Sequence, residues 1–120
     1  MKRVHEEDID FETQGIATYE GEAYTGEIVE HDENGNTISL VTYRDGEEDG
    51  PYLEWYPDGT PQVKGFIVSG KGPIGTWIKW HKNGQISQEQ HFDDRGREVA
   101  RRQWDEHGNV IKDSVYKNPI

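Results

Sequence analysis

The run GFIVSGKG, residues 65–72, holds the residues with the most obvious chemical promise. Gly65, Gly70 and Lys71 come close to a loop that wraps a phosphate in backbone N–H groups and reaches it with a lysine. Such a loop needs Ser or Thr next, to hold magnesium, and a helix behind it. Gly72 stands in that place, and Pro73 and Gly75 interrupt any helix, so the run reads as a strand and its following link. DENGN (32–36) begins like a calcium loop, but no glutamate arrives to close it, which leaves a turn. His5, His31, His81, His91 and His107 lack the spacing of a ligand set. The absence of cysteine removes disulfides and thiolate metal sites together. No Ser/His constellation or nucleophile elbow stands out, and 24 carboxylates are too many for any two to be singled out as an acid–base pair. The expectation is a chain without catalytic residues, cofactor or metal.

What remains is binding chemistry, and it sits in two stretches that nearly repeat each other: GPYLEWYPDG (50–59) and GTWIKWHKNG (75–84). Strand side chains alternate between faces. Tyr52, Glu54 and Tyr56 would therefore share a face with Trp77, Lys79 and His81, as a patch edged by Glu30, Glu54 and Asp32. Leu53, Trp55, Ile78 and Trp80 would take the other face, which is expected to be the packed one. Tyr and Trp are the usual anchors of protein interfaces. Glu47, Glu48 and Asp49 fall in what reads as a link between strands, where they would steer a basic partner.

Elements that could position such a patch follow from an internal period. Units starting at Gly26, Gly50, Gly75 and Val99 lie 24, 25 and 24 residues apart, and a glycine follows each start by nine places, at Gly35, Gly59, Gly84 and Gly108. Five places into each unit stand His31, Trp55, Trp80 and Trp104; eight places beyond each turn glycine stand Tyr43, Ile67, Phe92 and Tyr116. Each unit reads as a β-hairpin whose Asn-Gly or Asp-Gly turn takes the positive φ that a tight turn demands, while Gly70, in a link, is expected to have no such need. A single hairpin is not stable alone; stacked neighbours would bury a continuous seam. The predicted fold is all-β, an elongated antiparallel meander of tandem hairpins in one domain over 1–120. The repeats cover 26–49, 50–74, 75–98 and 99–120. A partial unit, read as the second half of an earlier repeat, covers 11–25, and a frayed start covers 1–10.

Leu, Ile, Val and Phe make up only 23 of the 120 residues, the level at which disorder sets in, but four Trp and six Tyr argue for a folded chain. Lys plus Arg number 13 against 24 acidic residues, a net charge of −11, which disfavours nucleic acid and anionic membranes as partners. MKRVHEEDID carries no apolar stretch, so the expected setting is the cytoplasm.

The pattern Gly-x-Trp-x-x-Trp-(Tyr/His)-x-(Asn/Asp)-Gly resembles the MORN-like repeats of bacterial YwqK-type antitoxins. Gly50, Tyr52, Trp55, Tyr56, Asp58 and Gly59 carry the resemblance, as do Gly75, Trp77, Trp80, His81, Asn83 and Gly84. The first and last copies match more loosely. The resemblance implies an immunity protein or antitoxin that binds a cognate, basic protein toxin and occludes its active site. The alternative is a scaffolding repeat that self-associates through its open sheet edges.

Overall fold

A computed structural model describes residues 1–12 and 14–117. The last three residues of the fourth expected repeat, and position 13 of the partial unit, lie outside the described residues. The strands are β1 (Arg3–His5), β2 (Asp10–Phe11), β3 (Ala17–Tyr19), β4 (Glu22–Ala23), β5 (Gly26–His31), β6 (Thr37–Arg44), β7 (Glu47–Trp55), β8 (Pro61–Val68), β9 (Gly72–Trp80), β10 (Ile86–Phe92), β11 (Glu98–Trp104) and β12 (Val110–Val115). From β5 to β12 each strand pairs antiparallel with the next, in chain order. The expected meander of hairpins is what forms. It is elongated: its radius of gyration is 16.0 Å, against about 14 Å for a compact chain of this length.

One turn geometry is used repeatedly. In the loops 32–36, 56–60, 81–85, 93–97 and 105–109, the first residue donates its N–H to the carbonyl of the fifth. The fourth, a glycine, donates back to the carbonyl of the first, all at 2.8–3.1 Å. This is a type I turn closed by a glycine in the left-handed region, and Gly35, Gly59, Gly84, Gly96 and Gly108 stand at φ between 78° and 90°. Four of these glycines are the expected ones; Gly96 adds a fifth turn of the same kind. Gly70 corrects the expectation for the links, since its φ is 82° and it needs the same freedom. The DENGN stretch is one of these turns: Asp32 accepts the N–H groups of Asn34 and Asn36 at 2.9 Å each. Asp93 and Asp105 repeat the pattern on Arg95 and Arg97, and on His107 and Asn109.

The N-terminal expectations need correction. Residues 3–5 are not frayed: β1 pairs parallel with β5, Arg3 opposite Glu27 and His5 opposite Val29. Residues 10–23 do not extend the meander as half a repeat. They form a separate three-stranded sheet, β2-β3-β4, which lies over the first repeat. The physical reason is burial. Ile9, Ala17 and Tyr24 close over Ile28 and Tyr43, with Val4, Tyr19 and Val41 packed around them, and this is the buried core. The Trp column corrects a second expectation, for Trp55, Trp80 and Trp104 are only half-buried and no continuous seam is sealed behind them. A single-layer sheet leaves both faces wet wherever nothing covers it.

Candidate functional site

Register builds the site. Ile28 lies opposite Val41, Val41 opposite Tyr52, and Tyr52 opposite Gly65, so one row crosses four strands on one face. The β8–β9 ladder then breaks. Lys64 pairs with Ile78 and Phe66 with Ile74, which leaves Gly75, Thr76 and Trp77 facing Gly65 alone. The slack lets the Trp77 indole settle onto the Gly65 backbone. A Cβ at Gly65 would stand 2.0 Å from the ring, so only glycine fits beneath it. Tyr52 flanks the indole at 5.3 Å between ring centroids, and Phe92 meets it edge-on at 6.4 Å. The ring sits so deep that its Nε1–H is buried without an acceptor.

Around this cluster runs a groove of about 680 Å³, floored by Val63 and Ile67 and bordered by Glu54, Lys79 and Gln90. It brings together Tyr52, Glu54, Tyr56, Trp77 and His81, the five aromatic-face residues singled out from sequence. Two of them have structural duties as well. The Tyr56 hydroxyl donates to the Trp80 carbonyl at 2.7 Å, and His81 donates from Nε2 to the Trp104 carbonyl at 2.9 Å. Each ties one repeat to the next. Phe92 and Gln90 belong to the groove although the sequence reading did not place them there. The column containing Phe92 was visible, but its face depends on the β9–β10 register, which shifts between Ile86 and Gln88.

The acidic residues are arranged differently from the expectation. Asp45 and Gly46, at φ 51° and 86°, make a two-residue turn, so Glu47, Glu48 and Asp49 lie in β7 rather than in a link. Alternation then splits them. Glu47 and Asp49 reach across to Ser69, Glu47 accepting from its hydroxyl and Asp49 from its N–H at 3.0 Å. Only Glu48 faces the aromatic side, where it shares a small depression with Glu6, Glu30, Tyr43 and Tyr52. Asp32, expected at the rim of the patch, is committed to its turn.

The phenols on this face are held protonated. Burial, then the neighbouring Glu48, pushes Tyr43 up to about 12, and the hydroxyl points at Glu48 at 3.5 Å. Burial also raises Tyr52, whose hydroxyl donates to Glu54 at 2.8 Å. Burial and the facing Glu30 raise Glu6. Carboxylates here serve as acceptors and as a source of negative potential. Among the described residues no group of three His, Asp or Glu is placed to hold a metal ion. The histidines are dispersed: His5 stacks on His31 at 4.7 Å, far from His81, and His91 contacts Glu89 and Thr76.

The pattern that defines the MORN repeat variant matches residues 48–68 and 73–94, the two hairpins that build the groove. These are MORN-like repeats. The stretch 48–68 supplies Tyr52, Glu54 and Tyr56, and the stretch 73–94 supplies Trp77, His81 and Phe92. No curated protein matches the chain. Among solved structures it is similar to a chain in the crystal structure of accessory secretory protein 1, 2 and 3 in Streptococcus pneumoniae, at 16% identity and a TM-score of 0.40. That similarity covers 92% of this chain and 19% of the other, so this chain spans about a fifth of its length.

Proposed function

We propose that this MORN-like repeat protein is a non-catalytic binding protein of the cytoplasm, an immunity protein that neutralises a cognate bacterial toxin by covering a basic region at its active site. The observation that supports this reading is the groove: Tyr52, Trp77 and Phe92 in contact, open to solvent, with Glu54 at the border and Glu48 and Glu30 further along the same face. Aromatic side chains that are desolvated on binding supply most of the affinity at an interface, about 2 kcal/mol or more each at a hot spot. Carboxylates beside them speed encounter with a basic partner. A net charge of −11 acts in the same sense at longer range. Toxins that attack nucleic acids carry basic clefts, to which this face is complementary.

The test uses the protein encoded next to this chain. Expressed alone it should arrest growth, and co-expression of this chain should restore it. Tyr52→Ala and Trp77→Ala should each abolish protection and speed dissociation of the complex, with the β-sheet spectrum unchanged. Glu48→Lys and Glu54→Lys should slow association instead. A harmless neighbour, or protection that survives both aromatic changes, would sink the reading.

A further inference from the structure

The repeats place equivalent side chains on one face. Two places into each unit stand Ile28, Tyr52, Trp77 and Arg101; seventeen places in stand Tyr43, Ile67, Phe92 and Tyr116. Their surroundings differ from unit to unit. In the first, Ile28 and Tyr43 are buried beneath Ile9, Ala17 and Tyr24, carried by the N-terminal sheet and its flanks. In the second and third, Tyr52, Ile67, Trp77 and Phe92 line the open groove. In the fourth, Arg101 turns onto the buried Glu98 with bonds of 2.8 and 3.1 Å, and Gln90 donates to the same carboxylate. The groove is therefore a stretch of this face left uncovered between the chain's own cover and a polar stop.

We propose that a β-hairpin of the partner protein lies over the second and third repeats, as the chain's own N-terminal sheet lies over the first. Its inward side chains would be aliphatic or Tyr, matching Ile9, Ala17 and Tyr24, with Lys or Arg at the end beside Phe11. The inference rests on the reading of this chain as a binding protein for a basic partner, and it adds the shape of what is bound. Width supports a β layer. Strands β7 to β10 are four neighbours, and at about 4.8 Å per strand the open face is about 14 Å across, room for the two strands of a hairpin and their side chains. Sheets stacked face to face sit about 10 Å apart, with side chains from both interdigitating in the gap. Tyr52, Trp77 and Phe92 supply one half of that filling.

Charge orients the cover. Phe11, in β2, stands 6.5 Å from Tyr43 between ring centroids and lines the depression that Tyr52 also lines, so the N-terminal sheet ends where the groove begins. Glu6, Glu30 and Glu48 line that junction. Among the described residues none of these three carboxylates is ion-paired. The sign changes across the groove: Glu54 lies opposite Val63, and Val63 opposite Lys79, two strands further from the cap. Cations of the partner are therefore attracted to the cap end and repelled at the other.

Two yeast-displayed peptide libraries of equal size, one on a disulfide-closed hairpin and one on a single helix, test this against the full chain. Hairpins should enrich and helices should not, with aliphatic or Tyr residues on one face and Lys or Arg at one end. The selected hairpins should bind Tyr52→Arg and Trp77→Ala about tenfold or more weakly. They should bind Phe66→Ser unchanged, since Phe66 is exposed on the opposite face. Tyr52 is only half-buried, so Tyr52→Arg carries the test if circular dichroism shows that Trp77→Ala unfolds. Enrichment from neither library, helices that enrich as well as hairpins, or hairpins that ignore Tyr52→Arg would overturn the proposal. A dimer in sedimentation that Tyr52→Arg abolishes would put a second copy on this face and overturn it as well. A harmless co-encoded protein sinks the immunity reading alone; a co-encoded toxin that binds this face while hairpins fail to enrich sinks the hairpin alone.

Discussion

Trp77 owes its position to a residue with no side chain. Gly65 attracts notice in the sequence only as the start of a phosphate-loop lookalike, and its actual role is to leave room for an indole. Gly65→Ala would place a methyl group 2.0 Å from the ring, and the ring must lift. Overpacking of this kind costs about 1–3 kcal/mol. We expect a lower urea midpoint together with a red-shifted tryptophan emission; an unchanged midpoint would mean that the ring is not seated there. The aromatic face itself was legible, because alternation along a strand is a local property that ties Tyr52, Glu54 and Tyr56 together. The contact between Trp77 and Gly65 was not, since it depends on a break in the β8–β9 register that no local pattern announces. Tyr56 and His81 were placed on the correct face, but their hydrogen bonds to Trp80 and Trp104 emerge only when repeats stack.

The turns carry the clearest electrostatic signature. Backbone N–H groups donated to Asp32, Asp93 and Asp105 hold all three carboxyls below the usual aspartate range. A carboxyl with a depressed folded pKa contributes stability above its unfolded value, about 3.9, and that contribution is lost as pH falls through the folded value. Stability should therefore drop as pH is lowered below about 4. Replacing all three with Asn should reduce stability at neutral pH and flatten the acid limb, as read from urea midpoints along a pH series. An acid limb unchanged in the triple variant would mean that other carboxylates carry it. Glu98 is one such contributor. Burial opposes its charge, but hydrogen bonds from Arg101, Gln90 and Tyr116 outweigh that and lower it. Positive φ at Gly35, Gly59, Gly84 and Gly108 was legible from their Asn-Gly, Asp-Gly and His-Gly settings. The Asp45-Gly46 turn carries the same signal, but the acidic run after it has the composition of a solvated link and masks the strand that begins there.

Across the whole molecule, order is expected to fall from one end to the other. The core cluster Ile9, Ala17, Tyr24, Ile28 and Tyr43 lies at the β1–β6 end, the buried residues Val63, Gln88 and Glu98 beyond it are scattered, and β12 is exposed along nearly its whole length. Local opening tracks the apolar burial and the hydrogen-bond cover of each segment. Amide exchange, measured dilute, should be slowest in β5 and β6 and fastest in β12; uniform protection would contradict this picture. The covered end was the least legible part of the chain. β1 pairs with a strand more than twenty residues away, and the small sheet is held by non-local contacts with Ile28 and Tyr43, neither of which leaves a periodic trace.

The bonds Tyr56–Trp80 and His81–Trp104 have a consequence for how such a chain can be lengthened. Both joints are made to the same gauge: a ring one place past the Trp column reaches the carbonyl of the next Trp. A cassette equivalent to residues 50–74 carries both halves of the joint side by side, a Trp carbonyl and the ring that follows it, so a copy spliced in after it would meet its neighbours with couplings they already possess. Each added cassette would widen the sheet by two strands, about 10 Å. It would also add one more Tyr-and-carboxylate stretch to the groove, while the cap at β1 and the edge at β12 stayed as they are. The reach of the binding face is thus adjustable in fixed steps, with both termini held constant.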